Sequence, residues 1–245
     1  MGDCPGMGLR DLEWRKAYSS SSDAILRDFY IPALANSTRY DRLAGFFSST
    51  SLAVAARGIV GLIQNGGKMR LVVSPKLQKR DVEAIQASTE RPEEYVGGVL
   101  VSELDEFESM LIRDHVFALG WMIANNRLEI KVAVVFDRGG RPLDQQTMQE
   151  QGFFHPKVGV LEDRSGDIIA FSGSVNESAT AWLDNVEEFK VFRSWKAGEA
   201  DYVEADLSKF ARLWHGVDRR IQVMDIPMAV KEKLIALAPS DIGAT

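Results

Sequence analysis

Between Arg42 and Val73 the chain spells a strand, a helix and a second strand, and that order restricts its architecture more than any other feature. Arg42-Leu43-Ala44-Gly45-Phe46-Phe47 reads as a short buried strand. Ser48-Ser49-Thr50-Ser51 offers several N-caps for a helix running to about Gln64, where Asn65-Gly66-Gly67 stops it. Met69-Arg70-Leu71-Val72-Val73 is the second strand, closed by Ser74-Pro75. Two strands joined through a helix with short connections lie parallel. A chain carrying such a unit is expected to build an α/β fold.

The flanking segments read in the same way. Ser19 to Ser22 followed by Asp23 marks a helix start, with Ala24, Ile25, Phe29, Ile31 and Leu34 as its apolar face and Pro32 as a point of bending. Residues 76–126 read as mostly helical, in a short piece from Asp81 to Ala87 and a longer one from Val101 to Ala124. Leu128 to Phe136 has strong β character. Asp137 to Gly152, rich in Arg, Gly, Pro, Asp and Gln, is expected to be a long mobile loop. Phe153 to Leu161 and Ile168 to Phe171 read as strands joined across Asp163-Arg164-Ser165-Gly166-Asp167, a hairpin connection. Glu177 to Trp182 suits a short helix and Glu187 to Phe192 a further strand. Ala200 to Trp214 and Pro227 to Leu237 read as helices.

With 245 residues, 45% hydrophobic and 26% charged, the chain can bury one large core. Three parts are expected: a flexible leader over 1–18, a main domain over 19–225 with a helical insertion at about 76–126, and a C-terminal helix and tail over 226–245. The single cysteine, Cys4, excludes an internal disulfide framework and a multi-cysteine zinc site. A net charge of −6 supplies no bulk attraction to polyanions, so any such site must be a local cleft. The first thirty residues are charged and broken by serines, unlike a signal peptide, and no run reaches the roughly 18 apolar residues of a spanning helix. A cytoplasmic location without membrane partners is the expectation.

The chemistry concentrates after residue 154. On an extended strand His155 and Lys157 point to one face, because side chains alternate with period two. Their neighbours Phe153, Phe154, Val158 and Val160 are apolar, and an ammonium in such a strand needs an anion. Taken alone, a His-x-Lys is ordinarily structural, with the lysine escaping at a strand end. The following strand alters the balance. It runs into Gly173-Ser174-Val175-Asn176, where glycine admits close approach of a ligand and Ser174 and Asn176 add a hydroxyl and an amide. Glu187 shares a face with Phe189 and Val191, so this carboxylate also needs a partner, and an imidazole N–H would serve.

The segment from His155 to Phe192 resembles the catalytic half-site of the phospholipase D superfamily, which reads His-x-Lys, four residues, Asp, then Gly-Ser-x-Asn, then Asn-x-Glu. His155, Lys157, Gly173, Ser174, Asn176, Asn185 and Glu187 match. The motif's aspartate does not: Glu162 stands in that slot, with Asp163 next. Strand 42–47, its helix and strand 69–73 resemble the opening of the same fold, and Phe210-Ala211-Arg212-Leu213-Trp214 points to the nuclease-like members associated with bacterial helicases. The resemblance implies an αβα sandwich around a mixed, largely parallel sheet, and a reaction without metal or other cofactor. His155 would attack phosphorus. Lys157, Ser174 and Asn176 would hold the phosphate oxygens, and Glu187 would fix the imidazole tautomer. The family uses two such histidines. His115 and His215 read as surface or capping residues, so the second is expected to be His155 of another copy, in a homodimer with a composite site.

The substrate expected from this resemblance is DNA or RNA, cut by an endonuclease working beside a helicase partner, in defence or DNA processing. Arg138 and Arg141 in the long loop, and Arg193 and Lys196 flanking Trp195, are the expected nucleic-acid contacts. Two alternatives stand beside it: a lipid or small phosphodiester hydrolase or transferase with the same His155 chemistry, and an inactive nucleic-acid-binding scaffold.

Overall fold

A computed structural model describes residues 7–19, 21–46, 56, 58–76, 82, 96–97, 99–101, 110–150, 157–174 and 188–236. Among the described residues, eight strands form one sheet. In chain order the elements are β1 (Ala17–Ser19), a π-helical turn (Leu26–Tyr30) running into α1 (Ile31–Ala35), β2 (Arg39–Phe46), α2 (Ile59–Gln64), β3 (Lys68–Ser74), α3 (Met110–Ala124) and β4 (Leu128–Val135). After these come α4 (Gln145–Glu150), β5 (Val158–Glu162), β6 (Ile168–Ser174), β7 (Glu188–Arg193), α5 (Ala200–Trp214), β8 (Ile221–Asp225) and α6 (Met228–Ala236). The strand order is β1-β7-β6-β5-β2-β3-β4-β8.

The α/β class and the parallel β2–α2–β3 unit are as the sequence predicts, and β3–β4 is a second parallel pair. The sheet is mixed but not largely parallel: the β1–β7, β7–β6, β6–β5, β5–β2 and β4–β8 pairings are all antiparallel. The reason lies in the connections. Short turns join β5 to β6, and a strand that returns directly can only pair antiparallel.

Alternation along β2 sorts the core into two layers. Tyr40 and Ala44 join the larger apolar cluster with Phe29, Leu34, Ile59, Leu71, Ile130 and Phe171. Leu43 joins Val72, Val158, Val160 and Ala170 under α5. α1, α2, α3 and α6 therefore cover one face and α5 the other, the three layers expected of an αβα sandwich. α2 lies very close to α1, because a Cβ on Gly61 would fall 2.8 Å from the Ala35 Cα. Pro32 has no N–H to return to Asp28, and the widened turn over Leu26–Tyr30 stands just before it.

The face under α5 also carries charge. Asp41, 1% exposed, accepts from Arg70 Nε and Nη2 at 2.7 and 2.6 Å. Arg39 lies 3.3 Å from the same carboxylate and 2.6 Å from Glu162. The Asp41 hydrogen bonds push the Arg70 guanidinium further up. Its carbon stands 4.9 Å from the Phe210 ring and 5.2 Å from that of Trp214, while Lys131 Nζ stands 4.8 Å from the Trp214 ring. These contacts fasten the end of α5 to β3 and β4.

Val203, Phe210, Leu213 and Trp214 recur at helical spacing and are buried along α5. Half-buried Asp206 falls on the same stripe. Burial pushes its carboxyl up, and Lys209 offsets this only in part. A carboxyl whose pKa rises on folding holds its proton more tightly in the folded state. Asp206 therefore opposes folding above its raised pKa, and the penalty disappears below the unfolded value of about 3.9. Asp206→Asn is expected to raise the melting temperature near neutral pH, with the gain fading as pH falls through about 4. An equal gain at both ends of that range would contradict this account.

Two expectations about mobile segments are corrected. Within the predicted leader, Leu9 is fully buried, Trp14 and Tyr18 are buried, and Ala17–Ser19 pairs with β7 as an edge strand. The Leu9 N–H donates to Asp163 Oδ2 at 2.7 Å, and Trp14 Nε1 donates to the Leu9 carbonyl at 2.7 Å. The predicted loop from Asp137 is a tight turn followed by α4. Asp137 Oδ1 accepts from the amides of Arg141 and Gly139 at 2.9 and 2.8 Å, which hold its carboxyl low. Leu143 and Met148 then pack on Val135 and Ile221.

Candidate functional site

The pairing register brings Lys157 and Ser174 to one end of the sheet. β5 and β6 pair with Val158 opposite Ser172, and the Gly173 N–H continues the ladder to the Lys157 carbonyl at 3.4 Å. β7 begins beside them, with Glu188 opposite Ser174. The C-terminal ends of the parallel strands β2, β3 and β4 reach the same end. Lys157 is 8% exposed. Its burial follows from position, since Val158, Gly159 and Val160 continue as a central strand covered on both faces.

Gly159 is required there. A Cβ at this position would lie 2.1 Å from Phe171 Cζ, so the glycine leaves room for that ring against the sheet. Phe171 in turn packs edge-on to Phe29 and Tyr30 and tilted to Phe189. The strand carrying Lys157 thus rests on an aromatic cluster drawn from three elements. Such support holds a backbone in place far better than a loop would.

His155, Asn176, Asn185 and Glu187 lie outside the described residues, as do residues 151–156 and 175–187 generally. For Ser174 the backbone position alone is described. Among the four expected nucleic-acid contacts the structure separates two from this end. Arg193 pairs with Ile169 at the opposite end of β7, five residues beyond Glu188, or about 17 Å along the strand. It is 9% exposed and donates through Nε to Glu199 Oε2 at 2.7 Å and through Nη1 to the Trp14 carbonyl at 3.1 Å. Hydrogen bonding between the two pushes Arg193 up and Glu199 down. Arg193 is therefore an internal clamp rather than a surface contact. Lys196 is exposed beyond the same far end, where Arg10 stands 5.8 Å from the Trp195 ring.

Arg138 and Arg141 are exposed in the turn after β4, at the Lys157 end. Two strands, β2 and β3, lie between β4 and β5, a lateral distance of about 14 Å. His215 is an exposed residue terminating α5, in keeping with a capping role.

The motif's missing aspartate has a local explanation. Glu162 lies half-buried on the face under α5 and is paired with Arg39. Asp163, 4% exposed, accepts from Ser165 N and Asp167 N through Oδ1 at 2.8 and 3.0 Å, besides the Leu9 amide on Oδ2. Asp163 thus braces the hairpin turn and the N-terminal segment, away from Lys157. Sequence inspection had no means to see this, because Leu9 meets Asp163 only through the fold.

No protein-family model matches the chain, and no curated protein matches it. Among solved structures it is similar to phosphatidylserine synthase of Haemophilus influenzae Rd KW20, with a TM-score of 0.42 and 14% identity over 89% of this chain and 44% of that one. The chain thus spans under half the length of that protein, and a likeness this slight bears on neither substrate nor mechanism. No helix among the described residues is long and apolar enough to cross a membrane.

Proposed function

We propose that the chain is a metal-independent phosphodiesterase of the phospholipase D type, acting through His155. The observation that carries this reading is the register that sets Lys157 beside Gly173-Ser174 at one end of the sheet, with β7 starting next to them. In that arrangement the motif's segments come from adjacent strands, which is what a shared phosphate site requires. The His155 imidazole attacks phosphorus, a P–N bond forms, and the P–O bond to the leaving group breaks. The imidazolium of His155 from a second copy gives its proton to the leaving oxygen. That ring then takes a proton from water, whose oxygen attacks phosphorus and releases His155. Lys157, Ser174 and Asn176 hold the non-bridging oxygens where charge develops.

Nucleic acid is the proposed substrate, with Arg138 and Arg141 as contacts on the Lys157 end, and a helicase as the proposed working partner. Arg193 and Lys196 no longer support that choice. The test is a substrate panel in EDTA: supercoiled plasmid, single-stranded DNA and RNA, and phospholipid vesicles. Cleavage of a nucleic acid in EDTA is the expected result. Turnover confined to phospholipid would replace nuclease by lipid hydrolase or transferase, and salt-sensitive DNA binding without turnover of any diester would leave a scaffold.

A further inference from the structure

We infer that Lys68, Arg127 and Arg164 form a second contact for the phosphate chain of a nucleic acid, at the end of the sheet opposite Lys157. The inference deepens the proposed function and rests on its substrate class. The three cations converge on the turn that follows α2. Arg127 Nη1 donates to the Gly66 carbonyl, and Arg164 Nη2 donates to Asn65 Oδ1 at 3.2 Å. Gly66 makes this turn at φ +71, a conformation that favours glycine. Lys68 opens β3 two residues later, opposite Arg39 on β2. Each guanidinium spends one of its five N–H donors here, and the Lys68 ammonium is exposed.

Among the described residues none of the three has a carboxylate partner. Carboxylates outnumber cations 35 to 29 in this chain, so composition alone does not supply an unpaired cluster. The acids around the turn are engaged elsewhere. Glu162 pairs with Arg39, Glu129 stands opposite Arg70, and Asp163 accepts from three backbone N–H groups. Arg39 and Lys68, side by side on neighbouring strands, repel each other, a cost that a bound anion relieves. A cleft of about 90 Å³ opens beside Arg164, lined also by Asn36, Asn65 and Ser165. Side chains of these types are the ones that meet phosphate oxygens of nucleic acids. An anionic membrane would need apolar surface beside the cations, and Met7 is the one large apolar side chain lining the cleft. From Lys157 to Glu162, next to this turn, the strand runs five residues, about 17 Å. A small diester held at Lys157 does not reach these cations, whereas a nucleic acid spans that distance.

The test measures binding of a labelled single-stranded DNA to the full chain by fluorescence anisotropy in EDTA, across a series of salt concentrations. Wild type is compared with a variant carrying Lys68→Gln, Arg127→Gln and Arg164→Gln. The control carries Arg27→Gln, Lys209→Gln and Arg212→Gln, exposed cations elsewhere with the same change in net charge. Loss of the phosphate contacts is expected to lower affinity roughly tenfold or more at low salt, and to reduce the slope of log K against log salt by about two. The control is expected to stay within about threefold of wild type. An unchanged slope in the first variant, equal losses in both, or no DNA binding by the wild type would each overturn the inference. Loss of binding to anionic phospholipid vesicles with DNA binding intact would overturn it too. Should the triple variant fail to fold, Lys68→Gln with Arg164→Gln carries the comparison, with a slope change of about 1.4. Turnover of a small activated diester is scored in parallel and is expected to match wild type; a loss there would place the cations at the Lys157 end and overturn the separate contact. DNA binding that behaves as expected without turnover of any diester keeps the inference and removes the catalytic reading. Turnover with unaltered DNA binding in the triple variant does the reverse.

Discussion

His155→Ala is expected to lower turnover of an activated phosphodiester by about 10⁴-fold or more, the usual consequence of deleting a covalent nucleophile. Lys157→Ala should cost less, about 10²–10³-fold, because it removes one donor to the developing charge and leaves the attacking group in place. EDTA should change neither value. Mixing tests the composite site. If each site needs His155 from two copies, equal amounts of wild type and His155→Ala, after subunit exchange, leave about a quarter of the dimers fully equipped. Activity near a quarter of the wild-type value supports a shared site. Activity near half indicates that each chain works alone, and wild-type rates in the pure variant would remove His155 from the chemistry.

Asp41→Ala is expected to destabilise the protein by about 3 kcal/mol, the low end for breaking a buried ion pair, since Arg70 and Arg39 keep some access to water. The substitution strands the Arg70 guanidinium and removes one of the two carboxylates beside Arg39. Arg70 loses both carboxylate oxygens while still lying against Phe210 and Trp214. Arg39 keeps Glu162. Urea denaturation of Asp41→Ala, Arg70→Met and the double variant isolates the pair. The double variant should recover part of the loss, because its remaining groups are apolar or still paired. A loss under about 0.5 kcal/mol for Asp41→Ala would show the cluster to be no stronger than an exposed surface pair.

Much of the scaffold was readable from local pattern. α5 matches Ala200 to Trp214 because its apolar residues recur at helical spacing among charged ones. The β5–β6 hairpin was marked by Asp163 and Gly166, and the turn uses both, the glycine at φ +83. β1 was not readable. Three residues, Ala-Tyr-Ser, carry no periodicity, and their pairing with β7 spans most of the chain. β8 escaped for a similar reason: five residues on a sheet edge, none of them buried, leave no core-facing pattern to detect. The direction of the β5–β2 pair also lay beyond local signals, because the long connection from β4 permits either sense.

At the site, residue types were legible and placement was not. Arg193 beside Trp195 resembles a surface contact in one dimension. Only the turn that returns Glu199 to it, and the N-terminal carbonyl of Trp14, reveal its internal role.

The Leu9–Ser19 segment sets a practical boundary for anyone shortening this protein. Trimming at residue 19 would uncover the hydrogen-bonding rim of β7, empty the seats of Leu9, Trp14 and Tyr18, and take away the amide that Asp163 holds. The product would present a bare sheet border flanked by greasy hollows, conditions under which chains stick to one another. A purification handle is therefore better appended ahead of Met1 than substituted for the opening eighteen positions.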